Sequence, residues 1–260
     1  FVGESAFIRC TALRTVTVGS GVTGFGISAF ENCPGLTGVY ISDLAAWCRI
    51  DFGGYLSNPL YGAKRLYLNG VELTDLQIPD GVTAISDYAF GDALSITSVT
   101  VPASVQRIGD YAFYQCSNIR TVNLPTSGLN RIGASAFDSC TNLGQIAIPD
   151  SVSYVGNAAF AWTPIGRVNV KQGVIEGHAF EGCGCITDVA LGSGVTFIGD
   201  SAFYRCAALG TVSYGGSRAQ WKALQIGSNN DALKSASITY GGTGSAPADT
   251  VDRVNIHVGG

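Results

Sequence analysis

Short apolar runs of period two recur along this chain at a nearly fixed interval. Val16/Val18, Val99/Val101, Val122/Leu124, Ile146/Ile148, Val168/Val170 and Val189/Leu191 each read as V-x-[VIL], the alternation of a short half-buried strand. Pro102, Pro125 and Pro149 follow directly, and proline lacks the N–H needed to continue a ladder. A further apolar pair (Val105 and Ile108; Val152 and Val155) leads into a glycine turn at Gly109, Gly133, Gly156 or Gly199. A polar residue such as Asp110 or Asp200 then stands where it can cap a short helical turn carrying Ala-Phe.

That Ala-Phe pair marks the period. It recurs at Phe7, Phe30, Phe90, Phe113, Phe137, Phe160, Phe180 and Phe203, with spacings of 23, 60, 23, 24, 23, 20 and 23 residues. The skeleton is C-x-x-L-x-x-V-x-L-P-x-S-V-x-x-I-G-x-x-A-F. A fixed period of this length means one supersecondary unit stacked on itself. One short strand per coil, always the same way up, predicts an α/β solenoid with a parallel sheet along one face. Loops and short helical turns occupy the other face.

Two segments break the period. Residues 43–70 (D-L-A-A-W-C-R-I-D-F-G-G-Y-L-S-N-P-L-Y-G-A-K-R-L-Y-L-N-G) and 217–240 (S-R-A-Q-W-K-A-L-Q-I-G-S-N-N-D-A-L-K-S-A-S-I-T-Y) each follow a repeat strand. Both place a Trp (Trp47, Trp221) on a short helix, pass an Asn turn and return to a strand at Leu66–Leu68 or Ile238–Tyr240. They read as one enlarged coil used twice. Asn69-Gly70 between two apolar runs predicts a hairpin. The expected organisation is therefore repeats over 1–42 with a truncated first coil, an enlarged Trp-containing coil with hairpin over 43–78 and repeats over 79–216. A second enlarged coil covers 217–240, and a linker with a terminal strand at Val254–Val258 covers 241–260. Val2–Phe7 aligns with Ile108–Phe113, so the chain is expected to start inside a coil, with further coils or a cap before it. The absence of Met leads to the same expectation of a processed or cut-out fragment.

The skeleton resembles the BspA-like leucine-rich repeats of bacterial surface proteins and some parasitic protists, over roughly residues 2–240. The enlarged coil is also similar to a module of that family. The resemblance implies a leucine-rich-repeat horseshoe or superhelix, a secreted or cell-surface location, and an adhesive or host-binding role.

Composition narrows the functional classes. Charged residues are only 13% of the chain and the net charge is −4 without a Lys/Arg run, so no phosphate-neutralising surface and no nucleic-acid partner are expected. No stretch reaches the roughly 18 apolar residues of a membrane span. No cofactor or metal is expected, and the chain is expected to be a monomer.

Candidate chemistry is thin. Cys10, Cys33, Cys116, Cys140, Cys183 and Cys206 all stand three residues after the Ala-Phe phenylalanine, matching the Asn/Cys ladder of leucine-rich repeats, where a small buried side chain meets neighbouring backbone. In-register side chains point the same way, which favours free thiols. Disulfides between adjacent coils (Cys10–Cys33, Cys116–Cys140, Cys183–Cys206) are the alternative. Cys48 and Cys185 lie off the ladder and are expected to react first. Cys183-Gly184-Cys185 is not a zinc knuckle. Gly24–Ala29 matches a dinucleotide fingerprint only through the register of the repeat, without the full-length helix that site needs. His178 and His257 have no nucleophile–base–orienter pattern around them, and Asp87, Asp110 and Asp200 share one repeat position suited to a turn or cap. No catalytic residue is assigned.

The outward strand positions define the surface of interest. Most are small and neutral, such as Thr15, Thr17, Ser98, Thr100, Thr121, Thr211 and Ser213. Tyr40, Gln145, Arg167, Asn169, Lys171 and Asp188 are its most distinctive members and form the candidate binding surface, with a protein or host glycoprotein as partner. A structural spacer is a competing reading. A third is carbohydrate binding through the Trp47 module, where Trp47, Phe52, Tyr55, Tyr61 and Tyr67 could supply a stacking patch, with core packing of the enlarged coil the default explanation for most of these side chains.

Overall fold

Most of the V-x-[VIL] runs pair in parallel with the same run of a neighbouring coil. In the computed structural model, which describes residues 1–241, Val16 faces Val39, Val99 faces Val122 and Val189 faces Val212. The described residues make about ten coils and carry few helices. The linker and the Val254–Val258 strand expected beyond Gly241, with His257, lie outside the described residues.

Proline accompanies the short strands of the middle coils. Ser98–Thr100 and Thr121–Asn123 end just before Pro102 and Pro125. Where Lys171 and Gly192 replace that proline, the strand runs on, giving Arg167–Ile175 and Asp188–Ile198 of nine and eleven residues. These two pair along their whole length, with register shifts between Val170 and Gln172 and between Gly173 and Val174.

The sheet face is interrupted twice. Asn69 and Gly70 both have positive φ (51° and 82°), the conformation of a two-residue hairpin turn, and Val71–Glu72 folds back antiparallel on Leu66–Leu68. At Ile146/Ile148 both side chains are buried, yet the expected strand is absent there. That run lies between coils of 24 and 20 residues, so the facing carbonyls do not hold register beyond the Gly144 N–H to Arg120 C=O bond of 3.1 Å.

A second, two-residue strand stands before the turn of several regular coils, an addition to the one strand expected. Arg107–Ile108 pairs with Ala84–Ile85 and Arg131–Ile132, and the ladder continues through Tyr154–Val155. The following glycine allows close approach. A Cβ on Gly133 would sit 2.6 Å from the Asp110 N and the Gly109 carbonyl carbon, distances that no side-chain carbon tolerates.

The Ala-Phe turns form a third ladder. Tyr111, Phe113 and Gln115 donate their N–H groups to Ala134, Ala136 and Asp138 of the next coil at 2.7–2.9 Å. Left-handed φ values at Tyr111 (57°) and Gln115 (56°) turn these donors outward, which prevents the segment from propagating as a helix. Carboxylates expected to cap their own turn instead reach the next coil. Asp110 Oδ1 accepts from Ala134 N at 2.9 Å and Asp200 Oδ1 from Ser228 N at 2.6 Å. The reason is distance: stacking brings the next coil's donor within reach, whereas the turn's own N–H groups are already taken, Tyr111 and Phe113 by the next coil and Ala112 and Tyr114 by carbonyls of the same turn.

Inside, Phe90, Phe113, Phe137, Phe160, Phe180 and Phe203 stack in one column, with ring centroids 5.2–5.5 Å apart. All six are fully buried, each contributing about 1.5–3 kcal/mol of hydrophobic stabilisation. The first enlarged coil separates this column from the Phe7–Phe30 pair.

Candidate functional site

Parallel register places Arg167, Asp188 and Thr211 side by side on three neighbouring strands, with Asn169, Ala190 and Ser213 beside them. Val168, Val189 and Val212 point inward and are buried, so the outward row is held on a rigid base. Arg167, Asn169, Asp188, Thr211, Ser213 and Thr239 line a shallow depression of about 390 Å³ on the sheet face.

Its polar groups are organised around Asp188. Thr187 Oγ1 donates to Asp188 Oδ2 at 2.7 Å, Thr211 Oγ1 donates to Oδ1, and Arg167 Nε lies 3.5 Å from Oδ2. The hydroxyl donors, chiefly Thr211, then Thr187, hold the carboxyl below its usual range, with a smaller contribution from Arg167. Arg167 remains 78% exposed. At that exposure the pair adds little to stability, and its guanidinium stays open to solvent.

The remaining candidates divide. The side chain of Gln145 lies against Gly166, where an added Cβ would come 2.8 Å from Nε2, so Gln145 adjoins Arg167. Lys171 is exposed and continues the outward row past Asn169. Tyr40 belongs elsewhere, in the first sheet segment, where its ring stacks on Tyr67 at 4.6 Å. Thr211 completes the depression, although nothing in its own residue type singles it out. Only its register against Asp188 does.

The Trp47 module is mostly core. Trp47 is 1% exposed and donates Nε1–H to the Ala89 carbonyl at 2.9 Å, and Phe52 is buried beside it. Neither presents a ring to a sugar, so for these two residues core packing, the default reading, holds and the stacking alternative does not. Tyr61 is the exposed ring of this segment. The two enlarged coils share an element order. Helix Leu44–Trp47 corresponds to Arg218–Ala223, strand Asp51–Phe52 to Gln225–Ile226, and helix Leu60–Ala63 to Asp231–Ser235.

All eight cysteines are free. Five ladder thiols donate to the Phe carbonyl of the preceding coil: Cys33 to Phe7, Cys116 to Phe90, Cys140 to Phe113, Cys183 to Phe160 and Cys206 to Phe180, at 2.9–3.2 Å. Burial raises their pKa, to about 12 for Cys116 and Cys206 and about 11 for Cys183. Cys48 does not behave as the reactive off-ladder thiol expected. It ends helix Leu44–Trp47 as its C-cap and is fully buried, and burial pushes it up to about 12. Cys185 is exposed. His178 Nδ1 pairs with Glu181 Oε2 at 2.6 Å, and no group of three or more metal-ligating side chains occurs among the described residues.

A column of parallel coils with an open polar sheet face defines a repeat protein. The chain belongs to the BspA-type leucine-rich-repeat family, whose model matches six copies over residues 1–47, 63–183 and 172–225. Among solved structures, the pneumococcal vaccine antigen PcpA is similar with a TM-score of 0.60 at 14% identity, over 90% of this chain and 68% of that one. A leucine-rich-repeat protein from Eubacterium ventriosum gives 0.50 at 20%, over 81% and 69%. A leucine-rich cell surface protein from Faecalibacterium prausnitzii gives 0.48 at 23%. The match covers 86% of this chain and 65% of that one, so the chain spans less than two thirds of that protein's length. These likenesses concern the fold. No curated protein matches the chain. No helix among the described residues is long and apolar enough to cross a membrane.

Proposed function

We propose that this chain is a non-enzymatic recognition module, secreted or displayed at a cell surface, that binds a protein or host glycoprotein through its sheet face. The observation that carries this reading is the depression around Arg167, Asn169, Asp188 and Thr211. Exposed Arg and hydroxyl groups stand there on a backbone that cannot collapse around them, because every second residue is locked in the core. A rigid surface of this kind loses little entropy on binding, and Arg is enriched at interface anchors. Membership of a surface-protein repeat family supports both the location and the absence of catalysis. Gln145 and Lys171 extend the surface along the same face, with Tyr40 as a separate contact toward the first coils.

A screen of immobilised matrix glycoproteins and cell-surface proteins tests the reading, followed by Arg167→Ala and Asp188→Ala on each binder. The expected result is binding that either substitution weakens without changing the thermal midpoint. Binding unaffected by both substitutions rejects the sheet face. Absence of any binder in the screen returns the chain to a spacer role.

A further inference from the structure

On the opposite face, the first enlarged coil breaks the Ala-Phe ladder and leaves a cavity. Its lining comes from three consecutive coils. Arg9 and Thr11 belong to the first, Phe30, Asn32 and Cys33 to the second, and Tyr61 and Lys64 to the enlarged coil, around a volume of about 630 Å³.

The break leaves a directed donor. Two residues after the Ala-Phe phenylalanine of a coil that another regular coil follows, the backbone N–H donates to that next coil, as Arg9 does to Glu31, Asp92 to Tyr114, Gln115 to Asp138, Ser139 to Ala161 and Trp162 to Glu181, at 2.8–2.9 Å. Asn32 occupies the same place with the same left-handed φ of 57°. Its N–H has no acceptor among the described residues. The 3-10 turn Tyr55–Ser57 and helix Leu60–Ala63 stand where the next Ala-Phe turn would offer a carbonyl. Only the Phe30 N–H still finds one, at Leu56, 3.2 Å away.

The charges around this donor are unequal. Lys64 Nζ is paired with Asp92 at 2.5 Å and lies 5.1 Å from the Tyr61 ring centre. Arg9 forms no ion pair among the described residues. The nearby Glu31 carboxylate accepts from the Asn32 side chain, Nδ2, at 3.4 Å. A free guanidinium and a free N–H beside one cavity suit an oxyanion, because charge-assisted bonds to a carboxylate are the strong ones. The body of the ligand meets an apolar floor of Phe30 and Cys33 and the exposed ring of Tyr61. That ring is the end of a continuous aromatic contact through Tyr55 (4.9 Å) to Tyr114 (5.6 Å). A carboxylate on a compact ring that stacks against tyrosine is the chemistry of an acidic sugar.

We propose that this cavity binds a carboxylate-bearing sugar residue of a glycan, with Arg9 and the Asn32 N–H on the carboxylate and Tyr61 against the ring. The site is independent of the sheet face and does not use Trp47.

Calorimetric titration of the chain with 3′-sialyllactose, with a glucuronate-containing disaccharide, with lactose and with sodium acetate tests it. At least one of the two acidic sugars is expected to bind, and which one does distinguishes sialic from uronic acid as the source. Lactose and acetate are expected not to bind. Arg9→Gln is expected to weaken binding about tenfold and Tyr61→Ala to weaken it, whereas Tyr61→Phe and Arg167→Ala retain it, all with unchanged thermal midpoints. Failure of both acidic sugars overturns the proposal, as does equal binding of lactose or acetate. Unchanged affinity in Arg9→Gln overturns it as well. Tighter binding of a short acidic peptide than of either sugar would assign the cavity to protein carboxylates instead.

Discussion

The thiol of Cys116 donates to the carbonyl of Phe90 in the preceding coil, across 2.9 Å. The same bond recurs from Cys140 to Phe113 at 3.2 Å, so the ladder cysteine is a donor between coils. Each thiol meets a carbonyl rather than the sulfur of its neighbour, which is why identical residues stacked in register remain free. Thr163, at the same repeat position, turns its hydroxyl to the carbonyl of its own coil's Phe160 at 2.7 Å.

Thiol titration in denaturant without reductant is accordingly expected to count close to all eight cysteines. In the folded protein the exposed Cys185 should react first and the half-buried Cys10 next, with Cys48 and the other ladder thiols silent. A count of two or fewer in denaturant would mean that adjacent coils are cross-linked.

The raised thiol pKa values make stability fall at alkaline pH. Cys48, Cys116 and Cys206 stay protonated in the folded chain up to about 12, against an ordinary value of 9.0. Their contribution is complete below pH 9 and is lost as pH rises toward 12, because only the unfolded chain releases these protons in that window. Urea midpoints measured from pH 8 to 11 should therefore decline, and Cys116→Ala should decline less steeply than the parent. Parallel slopes for the two chains would show that burial of this thiol is not the cause.

Removing one ring from the phenylalanine column opens a void between two coils. Phe113→Ala is expected to cost about 3–5 kcal/mol, whereas Thr100→Ala on the sheet face should cost under about 0.5 kcal/mol. Chemical denaturation of both variants checks this, and similar midpoints would mean that the faces are assigned wrongly.

Glycines are also separable by place. Gly133→Ala puts a carbon against the backbone of Gly109 and Asp110 and should cost about 1–3 kcal/mol through overpacking. Gly184, with nothing within 4 Å of an added carbon, should accept Ala within about 0.5 kcal/mol. Thermal midpoints that rank the two the other way would contradict the close-approach account.

Much of this architecture is written in residue spacing. The period of the Ala-Phe pair, the alternation of Val168 and Val170 and the prolines after strands are local facts, and local chemistry is enough to interpret them. Asn69-Gly70 specifies its own turn because both residues tolerate positive φ. By itself, then, the sequence determined the parallel solenoid, the buried phenylalanine and cysteine columns, and the outward placement of Arg167, Asn169 and Asp188. Only the tertiary structure decided which of those residues meet. Thr211 joins Asp188, and Tyr40 stands apart, because register across coils sets neighbours that no single coil encodes. It also decided that Asp110 serves the next coil, that Cys48 and Trp47 are core, and that the Asn32 N–H lacks an acceptor. Each of these depends on what the adjacent coil offers at one point in space, and a repeat pattern is silent about the coil that departs from it.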